Sequence, residues 1–197
     1  ERDVAPVVRT VAGASSAKGR GVAVTASILV PENYRSVIRA LDVLSELREG
    51  GESIGRIFFA ACENTLTAEE VFRDHALSRL ITPRIRRCVT PVAALVDRLC
   101  VGLDEIAGSP VPTVQVCAEE YASLKLERRP DTEDLVPLCA GSQIEFSRHL
   151  DVEKQIKSWL VNGTHWLIAL EAFQASRGDR SLKLNEFITE SPERRHF

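Results

Sequence analysis

The sequence predicts a mixed chain, α/β in its first part and all-helical in its last. Three observations carry that expectation. Gly21 to Val30 is a continuous run of small and β-branched residues, the pattern of a buried strand. Arg56 to Cys62 is a second apolar run, and the stretch between them has helical periodicity. Strand, helix and strand in that order form a βαβ unit, which implies a parallel sheet. The third observation is Val152 to Ser176, the longest helical pattern in the chain.

Taken in order, Pro31-Glu32-Asn33 opens the first helix, whose apolar positions Val37, Ile38, Leu41, Val43, Leu44 and Leu47 keep helical spacing. Gly50-Gly51 ends it. Thr65 to Leu80 reads as a second helix, with Thr67 as cap and Glu70 three residues on. Cys88 to Cys100 is apolar until Asp97-Arg98, and Thr113 to Cys117 is a short strand candidate. Glu127 to Ser142 turns to charge, Pro and Gly, which marks a loop or domain boundary. The expected division is therefore an α/β region over 1–140 and the start of a helical domain over 141–197. The final helical pattern is interrupted only at Asn162-Gly163.

With 197 residues, 44% of them hydrophobic and 27% charged, the chain can bury a sizeable core without disulfides or metal. A net charge of -3 argues against nucleic acid as the main partner, because phosphate binding needs a basic excess or stripe. No apolar run is long enough to span a bilayer, and the start lacks a signal-peptide pattern. The five cysteines match no metal-ligand spacing and read as reduced, buried thiols of a cytoplasmic protein. Because the chain starts at Glu1 and contains no Met, it is expected to be part of a longer gene product.

A βαβ chain invites a search for a nucleotide loop. Gly19-Arg20-Gly21 precedes a strand instead of following one and lacks the third glycine, so it reads as a turn. The stronger constellation is Lys157, Asn162 and His165 on the last helix. At about 100° per residue these stand at roughly 0°, 140° and 80°, within one arc. A lysine, an amide and an imidazole facing one cleft form a proton-transfer set without a metal. A desolvated lysine can act as base, because burial disfavours the ammonium form, and the other two groups can bond a developing alkoxide. Spacing alone equally fits a lysine on a solvated face, an Asn-Gly helix break and a satisfied histidine.

Three motifs occur in one order: Ala61-Cys62-Glu63-Asn64 at a strand end, Val96-Asp97-Arg98 after an apolar run, and Lys157-x4-Asn162-x2-His165. Together they resemble the long-chain mannitol dehydrogenase family, which includes mannitol-1-phosphate 5-dehydrogenases, mannitol 2-dehydrogenases and hexuronate reductases. The similarity covers roughly residues 20 to 190. The resemblance implies a metal-independent enzyme that moves a hydride between a sugar alcohol and NAD or NADP. It also implies part of a Rossmann-type parallel sheet followed by an all-helical substrate domain. Carried over, Lys157 is the general base for the polyol hydroxyl, Asn162 and Asn64 hold the alkoxide oxygen, and His165 positions the substrate. Asp97 and Arg98 are a substrate-binding pair or an ion pair bracing a strand end. The implied partner is a polyol or sugar phosphate.

The chain also departs from the family. It shows no glycine-rich phosphate loop, and it is shorter than the family's members. Leu99-Cys100-Val101 stands where a β-branched residue and Pro or Ser are usual, and a glutamate expected near Cys117 is not evident. The catalytic half of the site is present and the cofactor half is missing. The alternative is a non-catalytic relative that serves as a ligand- or protein-binding module. The sequence leaves the polyol, the cofactor preference and the oligomeric state open.

Overall fold

The computed structural model describes residues 6, 8–10, 21–28, 30–63, 67–73, 76–97, 100–102, 116–118, 120 and 122–178. The chain divides into two compact units, Glu1–Leu150 and Asp151–Phe197, where the sequence reading set its boundary after residue 140.

The first unit is mixed α/β. Strand β1 (Val22–Ala26) pairs in parallel with β2 (Ile57–Ala61), and β2 pairs in parallel with β3 (Val89–Val92). The helix α1 (Tyr34–Glu49), entered through a 3-10 turn at Pro31–Asn33, connects the first pair. Central β2 is buried at every position, as its uninterrupted apolar sequence requires. Alternation sends its side chains to two cores. Ile57, Phe59 and Ala61 join Tyr34, Ile38, Leu41 and Leu44 of α1 on one face. Phe58, Ala60 and Cys62 join Val92, Ala94, Leu126 and Leu135 on the other. Each fully buried side chain of this size stabilises the fold by about 1.5–3 kcal/mol. The edge strand β1 is not the fully buried strand that its composition suggests: Ala23 and Thr25 face solvent. Small side chains rather than burial make that run apolar.

Beyond α2 (Ala68–Arg73) and a 3-10 turn at Ala76–Leu80, α3 (Pro83–Cys88) leads into β3. The single helix expected over 65–80 is thus two short pieces. Its cap is as expected: the Thr67 amide donates to Glu70 Oε2 at 2.7 Å and the Glu70 amide donates to Thr67 Oγ1 at 3.2 Å, a reciprocal capping box. Thr82 caps α3 and donates its hydroxyl to Asp42 of α1 at 2.9 Å, while Arg48 of α1 donates to the Cys88 carbonyl at 2.9 Å. Pro91, which offers no amide, is tolerated because β3 is the outer strand of its sheet.

After β3 the chain passes through Ala93 into β4 (Ala94–Asp97), which pairs antiparallel with β7 (Ser123–Glu127); β7 in turn pairs parallel with β8 (Ile144–Ser147). Strands β5 (Cys100–Gly102) and β6 (Val116–Ala118) form a separate antiparallel pair. The stretch read as a loop or domain boundary over 127–142 is instead packed. Thr132 and Leu135 are fully buried, and a short helix α4 (Leu135–Leu138) forms part of the second core.

The second unit is helical where described. Helix α5 (Leu150–Ile156) starts at the last residue of the first unit and continues as a π-helical segment, Lys157–Asn162, into α6 (Gly163–Ala175). Asn162-Gly163 is not the break expected from sequence: both residues have right-handed helical backbone. The helix ends at Ala175 in a Schellman turn: the Gly178 amide donates to the Phe173 carbonyl at 2.8 Å and the Arg177 amide to the Gln174 carbonyl at 3.1 Å, with Arg177 (φ 54°) and Gly178 (φ 88°) both in left-handed backbone.

Candidate functional site

In the first unit the carboxyl ends of the parallel strands are tied together. The Cys62 amide donates to the Ala26 carbonyl at 2.7 Å, and Ser27 Oγ donates to the Cys62 carbonyl at 3.3 Å. Asn64, expected to hold an alkoxide, lies outside the described residues. Its neighbours Cys62 and Glu63 fix what surrounds that strand end. Burial pushes the Cys62 thiol above its ordinary value, opposed by the Ala26 backbone and reinforced by Glu63. It is a neutral core group, not a nucleophile.

Tyr34 stands beside this end. It is fully buried, and its hydroxyl has no hydrogen-bond partner of acceptable geometry. Burial raises its phenol above the ordinary value, Glu63 and Cys62 add to that, and the Ile28 backbone opposes it. The sequence reading passed over Tyr34. Its position four residues before Ile38 on the buried stripe of α1 was the available signal.

Asp97 ends β4 opposite Ser123 and is half-buried; Arg98 lies outside the described residues. The organised charge in this part of the fold belongs to Arg129, which sequence reasoning did not single out. Its guanidinium donates to the Pro91 carbonyl at 2.9 Å, to Glu127 at 2.8 Å and to Asp131 at 3.1 Å, and lies 3.5 Å from Glu69. Partial burial works against its charge, but the bond to Asp131 and the charges of Glu127, Asp131 and Glu69 outweigh this and raise its pKa. The arrangement braces β3, β7 and α2.

In the second unit Lys157 is half-buried, while Asn162 and His165 are exposed. The π-helical segment sets their relation. The Gly163 amide reaches back to the Ser158 carbonyl, an i→i+5 bond. Such a turn carries residue i+5 roughly 50° past residue i, so Asn162 stacks above Lys157. His165 follows three ordinary helical positions later, about 60° back. The three side chains then share an arc of about 60°, far narrower than the 140° of an unbroken α-helix. The Thr164 hydroxyl donates to the Leu160 carbonyl beside the widened turn.

The opposite side of this helix carries most of its large apolar side chains, interspersed with the exposed polar residues Gln155, Ser158, Thr164, Glu171 and Gln174. Val152, Ile156, Trp159, Leu160, Trp166, Leu167, Leu170 and Phe173 are all exposed and span roughly 190°, with Gly163 near the middle. Among the described residues no group of three or more His, Cys, Asp or Glu could hold a metal, and no helix is long and apolar enough to cross a membrane. No family model, curated protein or solved structure matches the chain.

Proposed function

We propose that this chain carries the proton-handling side of a polyol or polyol-phosphate dehydrogenase that transfers a hydride between a sugar alcohol and NAD or NADP. What supports the reading is the π-helical segment Lys157–Asn162, because ideal geometry for such a turn directs Lys157, Asn162 and His165 toward one face. Turns of this kind are rare and frequently found at functional sites. Lys157 takes the hydroxyl proton, Asn162 bonds the oxygen as it becomes an alkoxide, and His165 orients the polyol. None of these steps needs a metal. The roles of Asn64, Asp97 and Arg98 rest on the family resemblance.

The parallel order β1-β2-β3 with a helical connection supports the Rossmann-type part of the proposal, since nucleotides bind at the carboxyl ends of such strands. Among the described residues, however, no glycine-rich turn follows a strand, so they offer a pyrophosphate no cradle. Gly21 has a different explanation: a Cβ there would sit 2.8 Å from the Arg56 carbonyl oxygen. Free thiols at Cys62, Cys88 and Cys139 fit a reducing, cytoplasmic setting.

The experiment is a panel of sugar alcohols, their phosphates and hexuronate-derived polyols, offered to the protein with NAD and with NADP. Polyol-dependent reduction of the nucleotide is the expected result. Ligand binding without nucleotide reduction would favour the non-catalytic relative.

A further inference from the structure

We propose that the apolar face of the Leu150–Ala175 helix is a self-association surface, on which two copies of this chain pair antiparallel about Gly163. The inference is independent of the dehydrogenase reading, and four observations carry it.

The first is area. Trp159 is 79% exposed, Trp166 70%, Leu160 and Leu167 65% each. With Ile156 and Leu170 and the residues at either end, the face presents on the order of 1,000 Å² of side chain. That exceeds the ~300–600 Å² of the largest apolar patch on a typical monomer. It matches the ~800 Å² that each partner buries in a standard interface.

The second is Gly163. A glycine within a helix costs about 0.5–1 kcal/mol relative to alanine, so its presence needs a reason. The helix itself gives none. The backbone is right-handed, with φ −60°, and an added Cβ would meet nothing closer than the Ser158 carbonyl oxygen at 3.8 Å. A second helix crossing at this point supplies the reason, because a missing side chain lets two backbones approach closely. Gly163 also lies midway along the face, where a two-fold axis would pass.

The third is spacing. Beyond the π turn, within regular α-helix, Gly163, Trp166, Leu170 and Phe173 follow one another at intervals of three, four and three. This is the alternation of a helix–helix seam.

The fourth is charge. Asp151 and Arg177 are exposed at opposite ends of the helix, and among the described residues neither has an ion-pair partner. Antiparallel pairing brings Asp151 of one copy beside Arg177 of the other, and it also opposes the two helix dipoles favourably. The interface leaves the Lys157 side open.

Trp159 and Trp166 are the chain's two tryptophans, so intrinsic fluorescence reads this face directly. Sedimentation equilibrium should show a dimer at micromolar concentration, and tryptophan emission should shift to longer wavelength as dilution dissociates it. Gly163→Leu should keep full helicity by circular dichroism, since leucine is the better helix former, yet weaken dimerisation at least about tenfold by holding the helices apart. Asp151→Arg and Arg177→Asp should each weaken it, and the double variant should regain affinity.

A wild-type chain that stays monomeric at about 100 μM would overturn the proposal, whether its tryptophans are exposed or shielded by something else. So would Gly163→Leu pairing as tightly as wild type. Open-ended association, or a double variant that regains nothing, would overturn the antiparallel two-fold arrangement.

Discussion

The Tyr34 hydroxyl is the most unusual single group in the first unit. It is buried at the strand ends, where the Ile28 backbone offsets little of its burial and no hydrogen bond of acceptable geometry forms among the described residues; a group so poorly paired costs about 1–3 kcal/mol of desolvation. Tyr34→Phe should therefore leave stability unchanged or raise it by up to about 1 kcal/mol in urea titrations. A loss beyond about 1 kcal/mol would show that the hydroxyl is bonded after all. Cys62 makes a second residue-level prediction. Its folded thiol holds its proton to higher pH than an unfolded one, so the unfolded chain releases protons first as pH rises. The resulting stability is fully present below the ordinary thiol value of about 8.5 and is lost as pH climbs from there towards the raised value. Urea midpoints should fall above that pH, and Cys62→Ala should flatten the fall; a midpoint that does not move between pH 7 and 10 would contradict the burial argument.

Among the elements, those with strong local signals were legible in the sequence. The apolar run of β2, the period of α1 and the Thr67–Glu70 capping box all specify their structure within a few residues of themselves. The misread elements depend on distant partners. Glu127 to Ser142 looks like a linker because it is charged, yet Arg129 gathers carboxylates from three places and Leu135 completes the second core. Asn162-Gly163 looks like a helix break, because both residues are poor helix formers, yet the helix widens there and continues. A π turn has no composition signature, so the alignment of Lys157 with Asn162 could be suspected from sequence but not read from it. The turn amounts to one extra residue in the helix. Deleting Val161 should restore an α-helical path, preserve or increase helicity by circular dichroism, and rotate Lys157 away from Asn162 and His165. Polyol turnover should then drop as far as in a Lys157 variant, and normal turnover in that deletion would separate the π turn from function.

For the molecule as a whole, the two units depend on different forces. The first is held by two cores on either face of β2, joined at the end of β3 by the Arg129 network. Arg129→Ala leaves Glu69, Glu127 and Asp131 close together without their cation, and should cost about 2 kcal/mol. Arg129→Lys should recover only part of that, because an ammonium cannot span the Pro91, Glu127 and Asp131 acceptors as a planar guanidinium does. Equal stability of the two variants would assign the loss to packing instead. The second unit leaves most of the large apolar side chains of its described helix exposed. The α/β character and the helical ending were legible because periodicity is a local property. The pairing of β4 with β7 was not, since Ser123–Glu127 is short, carries two charged residues and offers no apolar run to mark it as a strand. The central claim, that Lys157 is the base of a polyol dehydrogenase, is tested most directly by steady-state kinetics of Lys157→Ala. Turnover should fall by about 10²–10⁴, the range for a lost acid–base group, while the KM for polyol changes much less, because the loss falls on the transition state. Near-normal turnover in Lys157→Ala would contradict the account and return Lys157 to the role of a surface lysine.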